Sequence, residues 1–197
     1  MLKAVIFDLN GVFIHSRKLS DRFEEDFGVS VLEFLPVLGE IMDEVRKPGA
    51  RPAFSYWEPH LKRWGIEMSE PEFWHYWFSA ETPSEEMIAL AQELKERGIK
   101  IITLSNNFKE RAEYYEHYPW MASIVDRAYF SWRTGLVKPD VEAWKVVLRD
   151  FAILPEECIY FDDQEKNLKA AESLGICSIE FTSPEETRVS IEKLLAQ

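Results

Sequence analysis

Five short apolar runs of β character set the terms on which this chain can fold: Ala4–Asp8, Ile99–Ser105, Ala128–Ser131, Cys158–Asp162 and Ile176–Phe181. Between the last four, apolar residues recur with the period of a helix. Met87, Leu90, Ala91 and Leu94 stand at i, i+3, i+4 and i+7, and Gly98 follows in the place of a C-terminal cap. Val141, Trp144, Leu148 and Phe151 repeat the pattern after Pro139, and Leu168, Ala171 and Leu174 do so before Gly175. A last helix opens on Ser183, Pro184 and Glu186, a capping arrangement with proline at the first helical position. Strands alternating with helices build βαβ units, whose strands run parallel under helices on both faces. The expected fold is α/β, a doubly wound parallel sheet.

The stretch from Ser16 to Pro83 breaks this rhythm. It holds no clear strand, but Leu19–Phe27, Val31–Val45, Tyr56–Trp64 and Glu70–Phe78 are amphipathic. Structureless loops of more than about 15 residues are rare in compact domains, so the segment reads as an inserted helical subdomain. The expected division is therefore a core of residues 1–15 and 84–197 with an insert of 16–83. Trp57, Trp64, Trp74 and Trp77 all fall in the insert, as its own packed core or in part facing a pocket.

Bulk properties narrow the function. A net charge of −12 leaves no basic stripe to displace counterions from a nucleic acid. No apolar run approaches the roughly 18 residues of a membrane span, and the N-terminus has neither a basic region nor a cleavage site, so a cytoplasmic location is expected. Cys158 and Cys177 each lie in or beside an apolar run and read as buried free thiols.

Ligands of open α/β sheets collect at the carboxyl ends of the strands. The first strand ends in Asp8-Leu9-Asn10-Gly11 and the second in Ser105-Asn106-Asn107. Lys138-Pro139 follows the third, and the fourth ends in Asp162-Asp163. Together these supply carboxylates for a hard cation, hydroxyl and amide donors for phosphate oxygens, and one ammonium.

In that order, Ile6-Phe7-Asp8-Leu9-Asn10-Gly11-Val12, Leu104-Ser105-Asn106, Lys138-Pro139, and Phe161-Asp162-Asp163 through Asn167 resemble the four motifs of the haloacid dehalogenase-like hydrolase superfamily. The resemblance spans nearly all of the chain outside 16–83, and the insert takes the place of that superfamily's helical cap. Within the superfamily, Ile102–Ile179 is most similar to bacterial α-D-glucose-1-phosphate phosphatase and to the N-terminal phosphatase domain of soluble epoxide hydrolase. The resemblance implies a Rossmann-like core and a magnesium-dependent phosphatase acting on a small phosphorylated metabolite. It implies Asp8 as nucleophile, Mg²⁺ held by Asp8, Asp163 and the Asn10 carbonyl with Asp162 completing the shell, and phosphate bound by Ser105, Asn106 and Lys138. Asn167 would orient the Asp163 loop or Lys138, and His15 is a possible substrate contact; a protein partner is not specified.

One residue departs from the pattern. Phosphatases of the superfamily usually carry an aspartate two positions after the nucleophile, as general acid–base, and here that position is Asn10. General acid–base help is typically worth about 10²–10⁴ in rate. The substrate then has a good leaving group, such as a sugar 1-phosphate or acyl phosphate; or His15 or a water substitutes; or the protein is a slow or inactive binding module, or carries an engineered change. A 2-haloacid dehalogenase also lacks that aspartate, but such enzymes use no metal. The adjacent Asp162 and Asp163 would then stand without a cation beside a third carboxylate.

Overall fold

The computed structural model describes residues 2–196. Strand β1 (Ala4–Phe7) leads through a tight turn into β2 (Ile14–His15). Four helices follow, α1 (Leu19–Phe27), α2 (Val31–Val45), α3 (Phe54–Arg63) and α4 (Glu70–Phe78), and the chain returns through β3 (Thr82–Pro83). Then come α5 (Glu85–Glu96), β4 (Lys100–Ser105), α6 (Lys109–Glu116), α7 (Pro119–Ser123), β5 (Arg127–Phe130), α8 (Ser131–Thr134) and α9 (Glu142–Phe151). A short 3₁₀ turn precedes β6 (Cys158–Asp162), and α10 (Glu165–Glu172), β7 (Cys177–Glu180) and α11 (Pro184–Leu195) complete the chain.

All five expected strands form one parallel sheet in the order β5-β4-β1-β6-β7. The chain winds outward from β1 through β4 to β5, then crosses back to lay β6 on the other side of β1. That reversal leaves a crevice at the carboxyl end of β1. Register aligns the strand ends: Phe7 pairs with Thr103 on one side and Phe161 on the other, and Asp8 N–H bonds to the Phe161 carbonyl at 2.9 Å.

Burial on both faces explains why β1 is continuously apolar. Val5 and Phe7 pack with Met87, Leu90 and Leu94 of α5 and Ile191 of α11, whereas Ala4 and Ile6 pack with Ala143, Trp144 and Val147 of α9 and Leu168 of α10. Gly98, with φ +83°, ends α5 as the capping pattern predicts. Ser183 accepts a hydrogen bond from the Glu186 N–H at the start of α11.

Helices α1–α4 have an apolar cluster of their own around Phe23, Phe34, Trp57, Phe73 and Trp77. The four tryptophans of the insert all belong to it or pack against it, and Phe108 and Tyr114 join from the other side. The ladder of β2 on β3 was not expected. Its two-residue strands, pairing Ile14 with Pro83 and His15 with Thr82, are too short to leave a periodic trace. Both cysteines are free, but only Cys158 is buried. Cys177 is exposed, against the expectation, because β7 is the edge of the sheet and its side chains meet solvent. No helix among the described residues is long and apolar enough to cross a membrane.

Candidate active site

Asp8 follows directly on β1, and its side chain is almost wholly buried. Its Oδ1 accepts the Leu9 N–H at 2.7 Å and lies 3.1 Å from Lys138 Nζ. Lys138 Nζ also reaches Asp162 Oδ2 at 2.6 Å and the Tyr160 hydroxyl at 3.0 Å. One ammonium thus joins the ends of β1 and β6.

Each neighbour of Lys138 is itself held. Asn106 clamps the Lys138 main chain: its Oδ1 accepts the N–H and its Nδ2 donates to the carbonyl, both at 2.8 Å. Asp162 accepts from the Gln164 N–H at 2.8 Å, from Asn167 Nδ2 at 3.0 Å and from the Tyr160 hydroxyl. Asn167 therefore steadies Asp162, which in turn fixes the lysine.

Asp163 is the exposed member of the acidic group. Asp8, Asp162 and Asp163 each bring a carboxylate oxygen within 4.8 Å of the others. Gly11 crosses this point with φ +90°, and a Cβ there would lie 2.5 Å from Asp163 Oδ2. The position needs glycine both for its backbone and for the space it leaves the carboxylate.

Electrostatics follow from that crowding. Burial raises the Asp8 pKa, Lys138 opposes the rise, and Asp162 reinforces it. Asp163 is raised by burial and by Asp162, and Tyr160 is held well above its ordinary range by burial and then by Asp8 and Asp162. Three carboxylates meet here, and the one lysine lies within ion-pair distance of two of them, Asp8 and Asp162. A hard cation with oxygen ligands is what this donor set fits.

Beside the carboxylates lies a chain of amides. Asn107 Nδ2 donates to Ser105 Oγ at 3.2 Å and to Asn10 Oδ1 at 3.0 Å, and Asn10 Nδ2 donates to the Tyr115 hydroxyl at 2.6 Å. Beyond Tyr115, Arg111 grips the buried Glu81 through Nε and Nη2 at 2.9 and 2.5 Å. Burial holds the Tyr115 phenol well above its ordinary range; Arg111 works against this and Glu81 adds to it.

The structure thus brings Asp8, Asn10, Ser105, Asn106, Lys138, Asp162, Asp163 and Asn167 to one end of the sheet. His15 is exposed and stacks on Phe181 with centroids 6.4 Å apart. No hydrogen bond or ion pair among the described residues joins it to the carboxylates. Tyr115, Tyr160, Arg111 and Glu81 were missed as site residues. Only Tyr160 adjoins a motif; the others arrive from separate elements with no local signal.

A family model described as haloacid dehalogenase-like hydrolase matches residues 2–175. The chain belongs to the haloacid dehalogenase-like hydrolases. Among curated proteins it is 28% identical over 117 residues to sesquiterpene phosphatase astK of Aspergillus oryzae, covering 57% of this chain and 58% of that one. It is 24% identical over 142 residues to rat bifunctional epoxide hydrolase 2, covering 64% of this chain and 26% of that one. In both cases the match covers less than two thirds of the relative. A haloacid dehalogenase family enzyme of Bacteroides thetaiotaomicron, crystallised with magnesium and inorganic phosphate, superposes with TM-score 0.77 at 22% identity over 92% of this chain and 95% of that one. A HAD-like family hydrolase of Porphyromonas gingivalis does so with TM-score 0.78 at 23% identity over 100% and 99%. Identities this low speak for the fold.

Proposed function

We propose that the chain is a phosphatase that hydrolyses a small phosphate monoester through an aspartyl-phosphate on Asp8. The observation that carries this reading is the way Asp8 is held. Its one side-chain hydrogen bond and its ion pair both fall on Oδ1, which leaves Oδ2 without a hydrogen-bond partner among the described residues. A carboxylate fixed by one oxygen and open at the other is prepared for in-line attack. The relative named as a sesquiterpene phosphatase and the neighbour crystallised with magnesium and phosphate support the same reading.

In the first step an Asp8 oxygen bonds to phosphorus as the bond to the leaving oxygen breaks, and the bonding pair departs with that oxygen. Water then attacks the aspartyl-phosphate, releasing inorganic phosphate and restoring the carboxylate, and its proton passes to solvent. Ser105 and the Asn106 N–H bind the phosphoryl oxygens, and Lys138 neutralises charge while holding Asp8 in place. Asp8, Asp163 and the Asn10 carbonyl, with Asp162 behind them, are the residues to hold Mg²⁺, which when bound offsets repulsion between the carboxylate and the phosphate. The helical insert, 16–83, acts as a cap that excludes water and selects the substrate.

Asn10 cannot deliver a proton, so leaving groups that need none are favoured, sugar 1-phosphates among them. Because both ends of its amide are already engaged, a second reading stands: a phosphate-binding module with little turnover. Phosphate release from a panel of phosphorylated metabolites, with magnesium and with chelator, tests the first reading. We expect magnesium-dependent release that Asp8→Asn abolishes. Release unaffected by Asp8→Asn sinks the mechanism, and halide release from a 2-haloacid insensitive to chelator points to a dehalogenase instead.

A further inference from the structure

Four polar side chains form a continuous hydrogen-bonded line from Ser105 to Tyr115, and the donors along it all face one way. Asn107 Nδ2 gives one proton to Ser105 Oγ and the other to Asn10 Oδ1, and Asn10 Nδ2 donates to the Tyr115 hydroxyl oxygen. An amide can turn end for end, so the same side chains could be bonded in the opposite sense. In that sense the Tyr115 hydroxyl donates to Asn10, and the Ser105 hydroxyl donates to Asn107 Oδ1, an oxygen that is buried and without a partner as it stands. The two senses differ in one respect that matters for chemistry. As observed, Ser105 Oγ accepts and its proton is free; reversed, that proton is used up inside the protein.

Glu81 stands at the end of the line where the choice is made. It is buried, one residue before β3 on the return from the insert, and Arg111 Nε and Nη2 both bond to its Oε1. Its Oε2 is also buried and has no hydrogen-bond partner. The fully buried Tyr115 hydroxyl accepts from Asn10, but its own proton has no acceptor in a hydrogen bond among the described residues. Arg111 joins the two, with its Cζ 5.5 Å from the centre of the Tyr115 ring. Glu81 is also near enough for its charge to raise the pKa of the phenol. A carboxylate oxygen without a donor and a phenol without an acceptor, buried on the same arginine, complete each other. A charged acceptor outweighs the neutral oxygen of Asn107.

We infer that Glu81 is a positioning residue: its carboxylate takes the Tyr115 proton, which sets the direction of every hydrogen bond from Tyr115 to Ser105 and leaves the Ser105 proton for the phosphate. The inference rests on the phosphatase reading and deepens it. It also gives Asn10 a purpose. An aspartate there competes with Glu81 for the one phenol proton, whereas an amide passes the direction on. Glu81 belongs to the insert and Ser105 to the core, so seating the insert orients the hydroxyl that meets the phosphate.

Glu81→Gln should reverse the line. Arg111 keeps the amide oxygen in the place of Oε1, which turns the amide nitrogen toward Tyr115; the phenol then accepts from it and donates to Asn10. Calorimetry with inorganic phosphate, in the presence of magnesium, is expected to show binding about tenfold weaker, although Tyr115, Asn10 and Asn107 stand between residue 81 and Ser105. Adding Asn10→Asp, which accepts from both Tyr115 and Asn107, restores the direction at Ser105 and should recover most of that affinity. In urea, the midpoint loss of the double variant should be about half the summed losses of the two single variants, or less. The same cycle in a Tyr115→Phe background separates the line from plain repulsion between two carboxylates, because the coupling should vanish there. Unchanged phosphate affinity in Glu81→Gln, no recovery in the double variant, additive midpoint losses, or coupling that persists without the phenol each overturn the inference. Coupling and recovery without phosphate release from any ester keep the positioning line and overturn the phosphatase reading; phosphate release with additive losses does the reverse. Should Glu81→Gln fail to fold alone, the double variant decides: folded and phosphate-binding, it upholds the inference, and unfolded, it overturns it.

Discussion

The Asn10 side chain donates from Nδ2 to the Tyr115 hydroxyl at 2.6 Å, across a sequence separation of 105 residues. Its Oδ1 is meanwhile filled by Asn107 Nδ2. An amide meets both demands, one acceptor and one donor, and a carboxylate meets only the first.

Asn10→Asp is therefore expected to restore a proton-transfer group at some cost in stability. Turnover of alkyl phosphates, whose leaving groups need protonation, should rise by about 10²-fold with magnesium present. Activity that stays at background in this variant, on aryl phosphates as well, removes the case for an intact catalytic site. Tyr115→Phe, which takes away the acceptor, should cost about 1–3 kcal/mol in urea unfolding.

Lys138→Met leaves Asp8 and Asp162 buried without their shared cation. Breaking a buried pair from one side costs about 3–5 kcal/mol, so a large drop in unfolding free energy should accompany loss of activity. Denaturant titration of Lys138→Met beside Asn106→Ala reads both halves of the clamp. The second variant should be milder, because it loosens the lysine's backbone without removing its charge.

Gly11→Ala should act on the metal site more than on the fold as a whole. The added Cβ meets Asp163 Oδ2, and φ +90° is strained for any L side chain. Magnesium should raise the Tm of the parent protein, by about 2.7 kcal/mol of stabilisation at 100 times its Kd. That increment should shrink in Gly11→Ala and vanish in Asp163→Asn. An unchanged increment in Asp163→Asn removes that residue from the metal site.

The two thiols should separate cleanly. Burial pushes the Cys158 pKa up to about 12, while Cys177 lies at the exposed sheet edge. A disulfide reagent should modify one thiol in the native protein and both after unfolding. Since the Cys158 value is raised on folding, its contribution to stability is intact below the unfolded thiol value of about 8.5 and is lost as pH rises toward the folded one. Unfolding free energy should decline over that window, and less so in Cys158→Ala.

The strands and helices of the core were legible because their residues answer to local rules. Val5, Phe7 and their neighbours form an unbroken apolar run, and α5 carries its apolar face at helical spacing before Gly98. The order of polar strand ends made Asp8, Ser105, Lys138 and Asp163 readable as a set. The β2–β3 ladder was not legible, since two residues leave no period, and neither was the exposure of Cys177, which depends on which strand ends up at the edge.

Tertiary structure alone decided the partners. Sequence by itself determined which chemical groups stand at the ends of which strands. That Asn10 would meet Tyr115 and that Arg111 would be tied to Glu81 followed only when α6 packed against the insert and the loops of the core. Local spacing dictates periodicity and therefore elements. Pairing between side chains dozens of residues apart is set by how those elements pack, and no local pattern encodes it.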